Sequence, residues 1–209
     1  MNSFVIMYRY VQQYKSFTEI RTEFIRKSIH ILIALVPPLA AFAGRGSVLA
    51  LLAGGVLFYT YAEIERSRGR RIPLITGITT AAARQEDLCG KIILGPITLG
   101  IGAMISLLLY PQTASLIAIY ALAFGDSISS IVGRAMGHIH IGPWRHKTLE
   151  GSFACFLLVW VISLRVSGSL SGSCLIALAA TALEAVPVKD LDNIILPMGS
   201  GFMACLVLA

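Results

Sequence analysis

Ser115-Leu-Ile-Ala-Ile-Tyr-Ala-Leu-Ala-Phe-Gly-Asp126 is an uncharged apolar run that ends in a carboxylate, and Ser127-Ile-Ser-Ser-Ile-Val-Gly-Arg-Ala-Met-Gly137 carries it onward. The run is continuous rather than alternating, which reads as helix, and open sheet edges cannot sit in lipid. An ionisable group at membrane depth is expensive and marks a functional site by default. Asp126 therefore decides two things at once: a helical membrane fold, and a site at one end of it. Lys147-Thr-Leu-Glu-Gly-Ser152 follows shortly after with a lysine, a second acid and a glycine. Acid for a metal, bases for phosphates and glycine for close approach together suggest nucleotide chemistry at a membrane surface.

The composition agrees. Hydrophobic residues make up 56% of the chain and charged ones 13%, against about 25% charged in ordinary soluble domains. The expected fold is an all-α, polytopic membrane bundle of about seven transmembrane helices, near 29–44, 47–62, 92–109, 112–132, 151–167, 169–186 and 193–209. Residues 1–28 read as a cytoplasmic amphipathic segment without a cleavable leader, and 29–209 as one membrane-embedded catalytic domain. Cys89, Cys155, Cys174 and Cys205 have no paired spacing and read as small packing residues. The net charge of +6 does not call for nucleic acid, because the basic residues sit in short loops beside apolar spans.

With the N-terminus in the cytoplasm, the inner segments are 1–28, 63–91, 133–150 and 187–192. Every Lys and Arg except Arg45 and Arg165 then lies inside, as the positive-inside rule requires. The localisation expected is a bacterial inner membrane, with the site facing the cytoplasm. All the acids fall on the same side, a bias that rule does not predict. Short outer loops explain the loop acids, but not Glu63, Asp126 and Glu184, which sit at or inside the ends of spans.

On a helix, Asp126, Ser130, Gly133 and Gly137 recur at i, i+4, i+7 and i+11 and share a face, with Ser129 and Arg134 near its edge. For the serines and glycines, a small-residue packing stripe is the plainer reading; for Asp126 it is not. Thr148 can cap the helix that Gly151 and Ser152 open, where free backbone N–H groups favour anions. Lys147 beside it could hold a phosphate, and Glu150 could bind metal or complement the helix start. His138, His140 and His146 lack the spacing of a zinc set and read as loop or headgroup contacts. Glu23, Arg26, Lys27 and His30 share one helical face entering the first span. Glu65 and Arg66 read as a helix-end ion pair. Glu184 lies inside an apolar helix, Asp192-Asn193 could cap the last one, and Gly95-Pro96 through Gly102 suggest a broken or closely packed helix.

These residues resemble the CTP-dependent lipid-alcohol kinases, a family that includes dolichol kinase, phytol kinase and the CTP-using diacylglycerol kinase and is related to phosphatidate cytidylyltransferase. The resemblance runs from Glu23 to Pro197. It is densest at Gly125-Asp126, Gly133-Arg134 and Gly137, then at Lys147-Thr148-x-Glu150-Gly151-Ser152. The late Glu184…Asp192-Asn193…Pro197 favours the kinase branch, since the cytidylyltransferase ending, a lysine-aspartate with a glycine-rich histidine signature, is missing. Phosphatidate cytidylyltransferase stays as the alternative. A small ion-coupled transporter is a weaker one, because the polar residues stop on the inner side.

The resemblance implies transfer of the γ-phosphoryl of CTP to the hydroxyl of a membrane lipid alcohol, such as diacylglycerol, a polyprenol or phytol. Mg²⁺ would be held by Asp126 with Glu150, Glu184 and Asp192. Lys147, Arg134, Arg26 and Lys27, with Gly125, Ser130, Gly133, Gly137, Thr148, Gly151 and Ser152, would form the nucleotide and phosphate surface. Catalytic roles fall to Asp126, Lys147, Glu150 and His30, with Glu23 and Asn193 elsewhere in the site. Small-residue faces permit a homodimer, and no nucleic-acid partner is expected.

Overall fold

Glycine and proline divide the apolar runs into helices. The computed structural model describes residues 20–70, 72–82, 92–141, 147–186, 188 and 190–208. Helix α1 (Ile20–Ala43) ends at Gly44, whose φ of 85° favours glycine, and α2 (Arg45–Ser67) starts immediately after it. A short α3 (Pro73–Ala82) follows. Helix α4 (Gly95–Leu109) opens with a proline in its first turn and stops at Tyr110, which is extended because the next residue is Pro111. Helix α5 (Gln112–Met136) then leads into a two-residue antiparallel pair, β1 (His140–Ile141) and β2 (Lys147–Thr148), with His140 opposite Thr148. Thr148 accepts from the Gly151 amide at 3.2 Å and caps α6 (Leu149–Ser167), which ends at left-handed Gly168. Ser169 caps α7 (Leu170–Glu184), and α8 (Asp192–Leu208) closes the described chain.

The all-α fold is as expected, and each expected span falls on an apolar helix. Four helices, α1, α2, α5 and α6, are long and apolar enough to cross a membrane. Helices α4, α7 and α8 have 15, 15 and 17 residues, under the ~20 that a full crossing takes. Among the described residues, length and composition support four crossings, and the expected count of seven is not confirmed by them. The boundary placed at residue 28/29 falls inside α1, which runs through it unbroken; residues 1–19 lie outside the described residues.

Helices α5 to α8 form the centre. Ile117, Ala118, Ala121, Cys155, Val159, Ile176, Ala177, Ala180, Leu196 and Ala204 make one buried cluster. Small side chains dominate it, which suits a bundle in lipid: association there relies on close contact and hydrogen bonds rather than on expelling water. Phe42, Leu57, Phe58, Phe153 and Phe202 point outward, an apolar surface that fits acyl chains. Cys155, Cys174 and Cys205 are free thiols, Cys155 buried, consistent with packing; Cys89 lies outside the described residues.

The joint between α8 and α4 shows how the late motif is used. Pro197 lies inside α8 and has no N–H to give the Asn193 carbonyl one turn earlier. That carbonyl lies over Gly102, where any Cβ would collide with it. The Asn193 amide donates to Thr98 Oγ1 at 3.0 Å and to the Gly95 carbonyl at 3.3 Å. The glycines of α4 thus serve close packing, and α4 is continuous rather than broken. Gly102→Ala should cost about 1–3 kcal/mol, the scale of an overpacked core. Reaction of buried Cys155 with a thiol dye during heating should show the lowered melting temperature, and an unchanged melt would exclude this packing.

Candidate functional site

Asp126 is placed by a feature that helical periodicity does not reveal. Ala121–Gly125 forms one π-helical turn within α5, which shifts the register by one residue; such bulges often mark functional sites. The turn is packed on every side, with Ala121, Leu122 and Ala123 buried. Directly after it, the Asp126 side chain meets α1. Lys27 Nζ donates to Asp126 Oδ2, and His30 Nδ1 lies 3.5 Å from the same oxygen. Lys27 is 1% exposed and Asp126 2%. Nearer the start of α1, Glu23 accepts Arg26 at 2.6 Å and Arg134 of α5 at 3.1 Å.

A second buried acid organises the adjoining helices. Glu184, at the end of α7, accepts Lys147 Nζ at 2.5 Å and Ser129 Oγ at 2.5 Å on one oxygen, and Ser152 Oγ at 3.1 Å on the other. The β1–β2 pair carries Lys147 to this position. Burial opposes the Lys147 charge, but Glu184, then Asp126, hold its ammonium above the ordinary lysine range. Asp192, at the start of α8, interacts electrostatically with Asp126, Lys27, Lys147 and Arg26. Four acids (Glu23, Asp126, Glu184, Asp192) and four cations (Arg26, Lys27, Arg134, Lys147) therefore lie in one neutral cluster. Isolated charges cost several kcal/mol to bury, so mutual compensation is what permits this arrangement.

Asp126, Lys147, Glu184, His30, Lys27, Arg26, Arg134, Glu23, Asp192 and Ser152 are thus brought together. Other expected residues are not. Glu150 turns away: its carboxylate accepts the His138 and Ile139 amides at 2.9 and 3.2 Å, satisfying the bend before β1. Thr148 is a helix cap, and Asn193 ties α8 to α4. The expected single face on α5 divides in two. Asp126 and Arg134 face α1, whereas Ser129 faces α7 and Gly133 faces the start of α6.

The glycines expected to admit phosphates are filled by the protein itself. A Cβ on Gly133 would meet Thr148 Oγ1 at 2.7 Å, and one on Gly151 would meet the Ser129 carbonyl at 2.6 Å. Gly137 lies against Thr148 as well, and Gly125 faces Val159 and Cys155. The packing alternative describes them. Ser130 is half-buried on α5. His138 and His140 are exposed, and His146 lies outside the described residues.

As a metal set, Asp126, Glu150, Glu184 and Asp192 do not converge: among the described residues no three acid, histidine or cysteine side chains group to hold an ion. Glu150 is engaged with backbone amides, and Glu184 with a lysine and two hydroxyls. Asp126 and Asp192 remain, with like charges that repel. Asp126 Oδ2 is held by Lys27, however, and Asp192 Oδ1 by the Asn193 amide, so a divalent cation at that pair would have to displace Lys27.

Ser129 is the residue that sequence reasoning undervalued; its spacing of three from Asp126 was the available signal. The ion pair at the end of α2 was also misassigned. Arg66 makes two hydrogen bonds to Glu63, at 2.6 and 3.0 Å, and Glu63 also accepts the Ile93 amide at 2.8 Å. Glu65 pairs with Arg68 and Arg70 instead. Glu63 is therefore a buried brace between α2 and the lead-in to α4.

No family model matches the chain, and no solved structure matches it. Among curated proteins it is similar to a probable chloroplastic phytol kinase of Triticum aestivum, 27% identical over 152 residues that cover 64% of this chain and 49% of the relative. The chain thus spans about half the length of that relative. This likeness to a phytol kinase agrees with the resemblance read from the motifs around Asp126 and Lys147.

Proposed function

We propose that the protein is a membrane kinase that transfers the γ-phosphoryl of CTP to the hydroxyl of a membrane lipid alcohol, with its site at the cytoplasmic face. The observation that carries this reading is the buried Lys27–Asp126 pair beside Lys147–Glu184. Phosphoryl transfer is chiefly positioning and charge neutralisation, and this cluster gathers four cations, each held by an acid, at one end of a lipid-facing bundle. The homologue with phytol kinase in its name is the second support.

In the reaction proposed, the lipid hydroxyl oxygen bonds to the γ-phosphorus, the bond from that phosphorus to the bridging β,γ-oxygen breaks, and CDP leaves with that oxygen. Lys147, Arg134, Arg26 and Lys27 neutralise the phosphate oxygens. Glu23 and Glu184 hold three of those cations in place. His30 Nδ1 faces the Asp126 carboxylate at 3.5 Å and carries its proton there, which leaves the other ring nitrogen, Nε2, to take the hydroxyl proton. Mg²⁺ taking the place of Lys27 at Asp126 and Asp192 would supply further charge neutralisation at the triphosphate. The lipid enters sideways, so its hydroxyl reaches the cluster without leaving the membrane.

Purified protein given labelled CTP or ATP, with phytol, polyprenols or diacylglycerol, should produce lipid phosphate and CDP, faster from CTP. CDP-lipid and pyrophosphate formed from phosphatidic acid would overturn the kinase reading and assign a cytidylyltransferase.

A further inference from the structure

At the end of α1 and α5 remote from the acidic cluster lies a cavity of about 210 Å³. Its walls are Pro37 and Pro38 on one side and Leu107 and Leu116 on another, with Arg45, Gln112 and Ser115 supplying polar groups. Ser115 is 2% exposed, yet its hydroxyl has no hydrogen-bond partner. A buried hydroxyl left unpaired forfeits its hydration without replacement, and a helical serine commonly avoids that by bonding the carbonyl one turn back. Ser115 forgoes that bond at the wall of a cavity.

The surroundings favour an anion. Arg45 donates to the Tyr110 carbonyl at 3.0 Å, which uses only part of a five-donor guanidinium. Among the described residues no carboxylate pairs with it, and no acid lines the cavity. The helices that begin there, α2 at Arg45 and α5 at Gln112, both lack a side-chain cap, so their first N–H groups add positive potential. The volume is below the ~300–1,000 Å³ of drug-sized pockets and suits a headgroup-sized ligand.

From this convergence we infer that the protein has a second binding site, for a phosphate group, formed by Arg45, Gln112 and Ser115 at the end of the bundle opposite the acidic cluster. The apolar walls and the position at a helix end near lipid select a phospholipid headgroup as the source. The site is independent of the kinase reading, because none of its residues belongs to the acidic cluster.

The test uses full-length protein in detergent, titrated with dioleoylphosphatidylglycerol or with inorganic phosphate, and read by native mass spectrometry and thermal melting. Phosphatidylglycerol should be retained one to one and raise the melting temperature. Arg45→Gln and Ser115→Ala should each weaken retention about tenfold, the scale of one charge-assisted hydrogen bond. Ser115→Ala is the control for folding: losing an unpaired hydroxyl should leave the lipid-free melt unchanged or higher. Stabilisation by inorganic phosphate alone, with the same mutant sensitivity, would keep the phosphate chemistry and make its source soluble. Equal retention by wild type and both variants, or no retention of either ligand, would overturn the inference.

Discussion

Asp126→Asn is expected to lower lipid phosphorylation by at least about 10²–10³-fold, the scale for removing one preorganised charged group, and to destabilise the fold by about 3–5 kcal/mol. The second effect follows from Lys27. Its ammonium is buried at 1% exposure and donates to Asp126; the amide of Asn leaves it uncompensated. Removing one partner of a buried pair is far more damaging than removing both. Adding Lys27→Met to Asp126→Asn should therefore recover most of the stability while activity stays lost. That pattern separates a site residue from a merely structural pair, because a structural pair would regain function together with stability. Melting in detergent and turnover with labelled CTP read the two quantities independently. Wild-type turnover in Asp126→Asn would remove Asp126 from the site.

Helix location and the unusual placing of Asp126 were legible because both rest on local signals. Long uncharged runs are read directly, and a carboxylate after Ser115–Phe124 stands out against them. Lys27, His30 and Glu184 were legible for the same reason: polar groups beside or within apolar helices. Their partners were not. Lys27 and Asp126 lie 99 residues apart in the chain, and nothing in either segment shows that α1 packs on α5 at that height. The proximity of Glu65 to Arg66 in sequence misled for a related reason. Adjacent helix residues do not face each other, whereas Glu63 at i−3 does.

Glu150 and the glycines show a different limit. An acid near a helix start has two plausible partners, a metal or backbone amides, and only the path of the chain before β1 decides between them. A glycine stripe likewise records that something approaches closely without saying what. Here the approaching groups are Thr148 and the Ser129 carbonyl. The π turn at Ala121–Gly125 leaves no compositional trace, yet it sets which side of α5 Asp126 occupies. The Asp192-Asn193…Pro197 segment divides by function: Asp192 joins the charge cluster, while Asn193 and Pro197 lock α8 to α4.

The Lys147–Glu184 pair is expected to behave differently from Lys27–Asp126, because one partner lies on a strand outside the helices. Lys147 sits on β2 with its side chain 16% exposed, while Glu184 is at 1%. Its ammonium is more open to water than that of Lys27, at 2%, though less so than the guanidinium groups of Arg26 and Arg134, at 28% and 34%. Lys147→Met should lower kcat/KM for CTP by about 10²–10³-fold, and it should cost stability, since Glu184 would keep only the Ser129 and Ser152 hydroxyls. Glu184→Gln should match the stability loss by stranding Lys147. The double variant should cost less than the sum of the singles, with a coupling of about 0.5–3 kcal/mol, and should remain inactive. Lys147→Arg is the informative variant: it keeps the charge but replaces a compact ammonium with a planar fork. Stability close to wild type with a raised KM for CTP and a partly retained kcat would show that the lysine holds phosphate as a point charge. A wild-type kcat/KM for CTP in Lys147→Met would exclude that role and leave Lys147 as the counter-ion of Glu184.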